Sequence, residues 1–452
     1  MSRRRNLGIL GAALATAALI TPRVAAAADT APTFTKDIAP IFQEKCEACH
    51  RPDSIAPMSL VTYEESRPWA RSIRSRVEAR QMPPWSVDKT VGIQHFKNDR
   101  SLSDQQIETI VKWIDAGAPK GDPKDMPAAK QWPSEQGWNY AALFGQKEPD
   151  LVIRSTPWTQ KAGANDTWWR PVMMTGITEP RWVRAIEIRP ATVKGRKITH
   201  HAIARLEQQE DNALFAVSDD PTLAAQGGTF MEWAVGKQGE LMRPNSGKLM
   251  LPGSKIHWDI HYSNGGEDVT DVVELGIYFY PKGQEPKYRQ VLHLMGATNA
   301  AGVDVPPNSV KQTEGFFVMR ENGRVESFQP HMHLRGKAME MTAILPTGQV
   351  QVLSKVSDFN FNWMTSYFYS DDSAPLLPKG TIIKVTAWHD NTIANKNNPD
   401  PNVWVGYGDR TVDEMAHAWV NVTYMGDADF KAELDARKAA KTKTTQQQQQ
   451  QQ

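Results

Sequence analysis

Several short stretches of this chain carry side chains able to do redox or metal chemistry. The only two cysteines lie in Cys46-Glu47-Ala48-Cys49-His50. C-x-x-C-H is the attachment signature of c-type haem: both thiols form thioethers to the porphyrin, and the adjacent histidine becomes an axial iron ligand. Far along the chain, Gln329-Pro330-His331-Met332-His333-Leu334-Arg335-Gly336 holds a His-x-His pair. On a strand, side chains at i and i+2 share a face, so His331 and His333 can close on one ion without bending the backbone. Thr199-His200-His201-Ala202-Ile203 offers an adjacent pair. Neighbours on a regular strand face opposite ways, so both reach one ion only at a bulge, a twist or a strand end. His257 and His261 share a strand face but stand ~13 Å apart, too far for one metal, so one of them is expected to be structural. Met415 follows two acids in Asp413-Glu414-Met415 and precedes a strand. Alone, such a methionine is more often core than ligand.

The elements that must position these groups fall into two kinds. Residues 34–45 read as a short amphipathic helix leading into the cysteine motif. Ser103-Asp104-Gln105-Gln106 is a capping box, opening a helix that buries Ile107, Ile110, Val111 and Ile114 and stops at Gly117. Between them lies Met82-Pro83-Pro84-Trp85, a stiff loop suited to presenting a thioether as the second axial ligand, with Met58 as the rival. This block resembles the small mono-haem cytochromes c with a Met-Pro-Pro-Trp loop, and on that resemblance the ligand is Met82. An all-α cytochrome c domain is therefore expected over 29–120, followed by a Pro-, Gly- and Lys-rich linker over 121–150.

Beyond 150 the pattern is β. The runs 183–189, 272–280, 339–345, 382–388 and 418–424 are short, branched or aromatic, and bounded by turn formers. Two antiparallel, jelly-roll-like sandwich domains are expected, over 151–285 and 286–430. The charged segment and glutamine run of 431–452 are expected to be disordered.

Nine of the eleven histidines fall in the β region, and the net charge of +1 gives no reason to expect nucleic acid binding. Arg3, Arg4 and Arg5, an apolar stretch from Leu7 to Ile20 and Ala26-Ala27-Ala28 read as a signal peptide over 1–28, cleaved before Asp29. No later run is apolar enough for a membrane span, so a periplasmic or secreted protein is expected.

The order His-His, His-Tyr, Pro-Pro, His-x-His-x-x-Gly, Asp-Glu-Met resembles the copper type II, ascorbate-dependent monooxygenases, the family of peptidylglycine α-hydroxylating and dopamine β-monooxygenases. The likeness spans roughly 150–425. It implies two copper ions across an open cleft: an electron-transfer copper on His200, His201 and His261, and an oxygen-activating copper on His331, His333 and Met415. Two histidines and a thioether suit copper that cycles between Cu(I) and Cu(II). His257, His293, His389 and His417 fall outside the ligand pattern, with His417 closest to Met415 in sequence. Two departures stand out. The animal domains are stapled by disulfides, whereas no cysteine remains here once haem is attached, and the animal enzymes lack a fused cytochrome.

What the resemblance implies is hydroxylation of a C–H bond of a small organic substrate by O2. Electrons would come through the haem, from ascorbate, or from a periplasmic redox partner. The competing expectation is a non-enzymatic copper-binding or electron-transfer protein, which would have no need of two unlike sites.

Overall fold

The computed structural model describes residues 31–52, 54–132, 137–212, 214–215, 227–263, 265–299 and 302–450. The expected signal peptide lies outside them. The chain is mostly β, with helices gathered near its amino end and one long helix at the other.

The amino-terminal unit is helical. A π-type turn, Phe34–Ile38, runs into the helix Ala39–Lys45, and the capping box places the helix Asp104–Asp115 where the sequence predicts it. Gly117 follows at φ +86°, a left-handed conformation that glycine adopts without the Cβ clash other residues meet. Phe34, Ile38, Phe42, Ile110 and Trp113 form the small core. The unit does not keep all of 29–120 to itself. Trp85, Val87 and Phe96 are buried in the core of the second β unit instead, among Phe328, Met332 and Tyr367. Each buried Val or Phe is worth about 1.5–3 kcal/mol over an exposed one, enough to draw this loop off the helices. The expected linker also packs: the buried carboxylate of Glu187 accepts hydrogen bonds from the backbone N–H of Asn139 and Tyr140 at 2.8 and 2.9 Å.

Two sheet-on-sheet cores make up the β region. They are consistent with sandwich-type domains and are linked along one edge, where the strand order runs on from one into the other. They join where Ser246–Met250 pairs in parallel with Tyr288–Ala297, through Tyr288 opposite Ser246. A five-stranded sheet containing Thr199–Glu207, Gly228–Ala234 and Lys255–Tyr262 covers one half, and a four-stranded sheet containing Gly336–Ile344 and Ile382–Asp390 covers the other. Ala416–Tyr424 is buried at every residue, as a central strand must be when both faces are covered. On one side it pairs with Tyr288–Ala297 and on the other with Ser327–His331.

The carboxyl end corrects the expectation of disorder over 431–452. A helix, Asp427–Gln450, covers all but the last two residues. Glu433 anchors it by ion pairs to Arg243 and Arg324, which the polar composition alone does not reveal.

Candidate metal centres

The first centre depends on a local irregularity. In the pairing of Lys255–Tyr262 with Thr199–Glu207, His261 lies opposite His201, but Tyr262 lies opposite Thr199. His200 is therefore the extra residue of a β-bulge, which turns its ring toward the face its neighbour already occupies. The ligating nitrogens of His200, His201 and His261 all fall within 4.8 Å of one another, so the three could hold one metal ion. His257, on the same strand, instead faces Glu207.

The donor set fits a metal. His261 places Nε2 3.1 Å from a carboxylate oxygen of Asp166, while its Nδ1 is buried with no hydrogen-bond partner. A carboxylate on one ring nitrogen fixes the tautomer and leaves the other lone pair for coordination. Trp168 stacks on the ring at 4.3 Å, and the Thr411 hydroxyl donates to the same Asp166 oxygen at 2.7 Å. Burial, reinforced by neighbouring His261, lowers His200 to about 4 and His201 well below the ordinary imidazole range. The rings are held neutral, the state in which histidine binds metals.

The second pair sits at a strand end. His331 is the last residue of Ser327–His331, directly opposite His417. The His331 and His333 rings are 5.2 Å apart and nearly perpendicular. The turn that brings them together wraps around one buried carboxylate: Glu414 accepts the backbone N–H of His333 at 2.9 Å and of Arg335 at 2.6 Å. Burial opposes ionisation of Glu414, but hydrogen bonding from His389 brings it below the usual carboxylate range. Gly336 is required next, since a Cβ there would stand 2.5 Å from the Met332 Cβ. His333 points Nδ1 at the Asp413 carbonyl, 3.0 Å away, leaving Nε2 for a ligand role.

The sulfur nearest this pair is unexpected. Met364 Sδ lies 3.1 Å from His331 Nδ1, in a core cluster with Ile203 and Trp419. Met415 is half-buried, and its carbonyl oxygen lies 3.1 Å from His389 Nε2. Met415 follows Glu414, whose carboxylate accepts the His333 N–H. His417 packs its ring 4.7 Å from that of His331, and burial lowers it to about 3.

The two centres adjoin. The His201 and His331 rings are 5.9 Å apart, and Phe361 stacks on His200 at 4.4 Å while meeting His333 edge-on at 5.9 Å. The two halves also meet at an exposed Arg170–Asp409 ion pair at 2.9 Å. The sequence reading missed Asp166, Met364 and Phe361, which only long-range register brings to the histidines, and no local pattern marks them.

In the helical unit, Cys46 and Cys49 are both half-buried. Burial, then the neighbouring Cys49, pushes the Cys46 thiol up to about 12. His50 Nδ1 lies 3.2 Å from the Met58 carbonyl, which orients the ring and leaves Nε2 unengaged for an iron. Met82 is half-buried, its N–H bonded to the Arg76 carbonyl at 3.3 Å.

No protein-family model matches the chain, and no curated protein matches it. Solved structures give distant likenesses. The VP2 subviral particle of infectious bursal disease virus is 10% identical over 64% of this chain and 77% of its own, with a TM-score of 0.18. PBCV-1 VP54 is 10% identical over 62% and 94%, with a TM-score of 0.23. Pumpkin seed globulin is 8% identical over 61% and 85%, with a TM-score of 0.14. TM-scores this low place no constraint on this chain's fold or activity. Among the described residues, no helix is long and apolar enough to cross a membrane.

Proposed function

We propose that this chain is an exported, periplasmic or secreted copper monooxygenase that hydroxylates a C–H bond of a small organic substrate with O2. The observation that carries the reading is the meeting of the two histidine clusters, with an orphaned Nδ1 on His261 in the first. One copper would lie on His200, His201 and His261, the other on His331, His333 and Met415. Copper there supplies one-electron chemistry toward O2, which a soft thioether favours by stabilising the reduced ion.

The chain's own residues do the rest. Asp166 holds the His261 ring by its Nε2 proton, and Glu414 fixes the 333–335 turn. Trp419 and Phe361 pack on the histidine rings and orient them. At the amino end, Cys46 and Cys49 would hold a haem covalently, with His50 able to ligate its iron through Nε2 and the haem supplying one-electron redox chemistry. The Met58 carbonyl sits behind His50, on the side away from Nε2. Met82, in its Pro-flanked loop, would be the thioether donor to the iron. The haem would feed electrons to the coppers, alone or beside ascorbate.

Metal analysis of purified protein followed by a screen for substrate-dependent O2 uptake tests the reading. One haem and two coppers per chain, with uptake that needs substrate, is the expected result. One copper or none would remove half the assigned ligands. Two coppers without uptake on any substrate would favour a copper-handling protein.

A further inference from the structure

The loop that would present Met82 to the haem does not end in the helical unit. Three residues on, Trp85 is buried in the second β core with its ring 4.8 Å from that of Tyr367. The contact is braced on both sides. The Ser86 N–H donates to the Tyr367 hydroxyl at 3.2 Å, the Asn98 side chain to the Ser366 carbonyl at 2.8 Å, and Phe96 stacks on Tyr369 at 5.4 Å. Backbone bonds extend the seam, from Asp88 to Lys355 at 2.8 Å and from Ile93 to Leu353 at 2.9 Å. Tyr367 is linked to the second candidate centre by two short stretches of chain. It lies opposite Phe328, three residues before His331, and three residues after Met364, whose sulfur is 3.1 Å from His331 Nδ1.

We propose that Trp85 and Tyr367 are the electron route between the haem site and the His331 site within one chain. The inference rests on the reading of Cys46 to His50 as a haem site and of His331 as a copper ligand. Met82 to Trp85, and Tyr367 to Met364, each span at most about 11 Å of chain. Tunnelling decays faster across empty gaps than through bonds and packed rings, and here one ring-to-ring contact joins two short covalent stretches. The step moves one electron: ferrous haem becomes ferric and one cupric ion becomes cuprous. No bond forms or breaks, and neither ring needs to lose a proton. Both act as relays, not as catalytic residues.

The test follows haem absorbance, not turnover. Protein loaded with haem and cupric ion is reduced at the haem by a flash-generated one-electron donor under anaerobic conditions, and haem reoxidation is timed. In the unsubstituted protein the rate should be first-order and independent of protein concentration. Because the surroundings collapse only partly onto a truncated core side chain, Trp85→Leu should slow reoxidation by about tenfold or more. Trp85→Phe should slow it less. Oxidation of the haem by external ferricyanide, and the haem spectrum, should be unchanged in both variants, which a general loosening of the fold would not produce. Should Trp85→Leu not fold, Tyr367→Leu breaks the same contact from the other side. Equal rates in the wild type and the Leu variant would overturn the route while leaving haem-to-copper transfer intact. A rate proportional to protein concentration would also overturn it, by showing that haem and copper meet between chains. No reoxidation in the unsubstituted protein would overturn both the route and the haem's assigned role.

Discussion

The two histidine centres lie side by side but are built in opposite ways. His201 and His261 face each other within the ladder near the ends of two paired strands, and a single bulged residue, His200, completes the set. His331 and His333 straddle the end of a strand and are held by a cap on the Glu414 carboxylate. The first arrangement closes three nitrogens on a rigid ladder. The second offers two nitrogens and leaves the third position to whichever sulfur the surrounding loops deliver.

The largest effects should come from removing ligands. His261→Ala deletes the nitrogen that lies orphaned in the first centre. Copper content should fall from two to one per chain, with the His331 centre still loaded. Loss of both coppers would mean that the adjoining clusters act as one site. The second centre is broken at its sulfur. Met415→Ile should weaken cuprous binding there by at least the roughly 10–100-fold that even an outer-shell partner contributes, with the first copper retained. Met364→Ile, a near-isosteric swap in a packed cluster, should cost less than about 1.5 kcal/mol of stability and leave copper in place. The reverse outcome, read by cuprous-ion titration, would give the thioether role to Met364.

These contrasts mark what could be read from the sequence. The capping box at Ser103 and the β pattern after 150 are local signals, and each has its expected place in the fold. The adjacent pair His200-His201 was readable only as a condition, since two neighbours share an ion only where the strand is irregular. The bulge meets that condition, but it belongs to the pairing with a strand about sixty residues away. Met364 is 33 residues from His331 and Asp166 is 95 from His261. Their roles exist only in the assembled sheets. Trp85 misled for the same reason: its loop reads as part of the helical unit, yet its aromatic surface finds a larger core elsewhere.

Asp166 gives a gentler probe of the first centre. Its carboxylate receives the His261 Nε2 proton and the Thr411 hydroxyl together, tying the first centre to the loop that leads into Met415. Hydrogen bonding from His261 holds its carboxyl below the usual range. Asp166→Asn keeps the shape but removes the charge that makes the ring a stronger donor. Copper affinity at the first centre should fall about 10–100-fold, with a smaller loss at the second. Equal losses at both, measured by competitive chelation, would mean that Thr411, not His261, is the partner that matters.

The smallest effect lies in the seam between the centres. Glu232 pairs across the sheet with Ile203, two residues beyond His201, and accepts a hydrogen bond from Gln329, two residues before His331. It is fully buried, and its Oε1 has no partner. Burial pushes its pKa up to about 7 against the opposing charge of Lys237, 3.5 Å away, which Glu240 engages more closely at 2.9 Å. The sign follows from proton binding. Between about 4.5 and 7 the folded protein keeps a proton that the unfolded chain has lost, so Glu232's contribution to stability falls as pH rises through that window and is flat above it. Glu232→Gln removes this dependence. On copper-free protein the variant and wild type should melt alike near pH 5, and by pH 8 the variant should be the more stable by roughly 3 kcal/mol. A difference that stays constant from pH 5 to pH 8 would mean that Glu232 is ionised throughout. The two centres would then be separated by a buried charge pair instead of a neutral hydrogen-bonded seam.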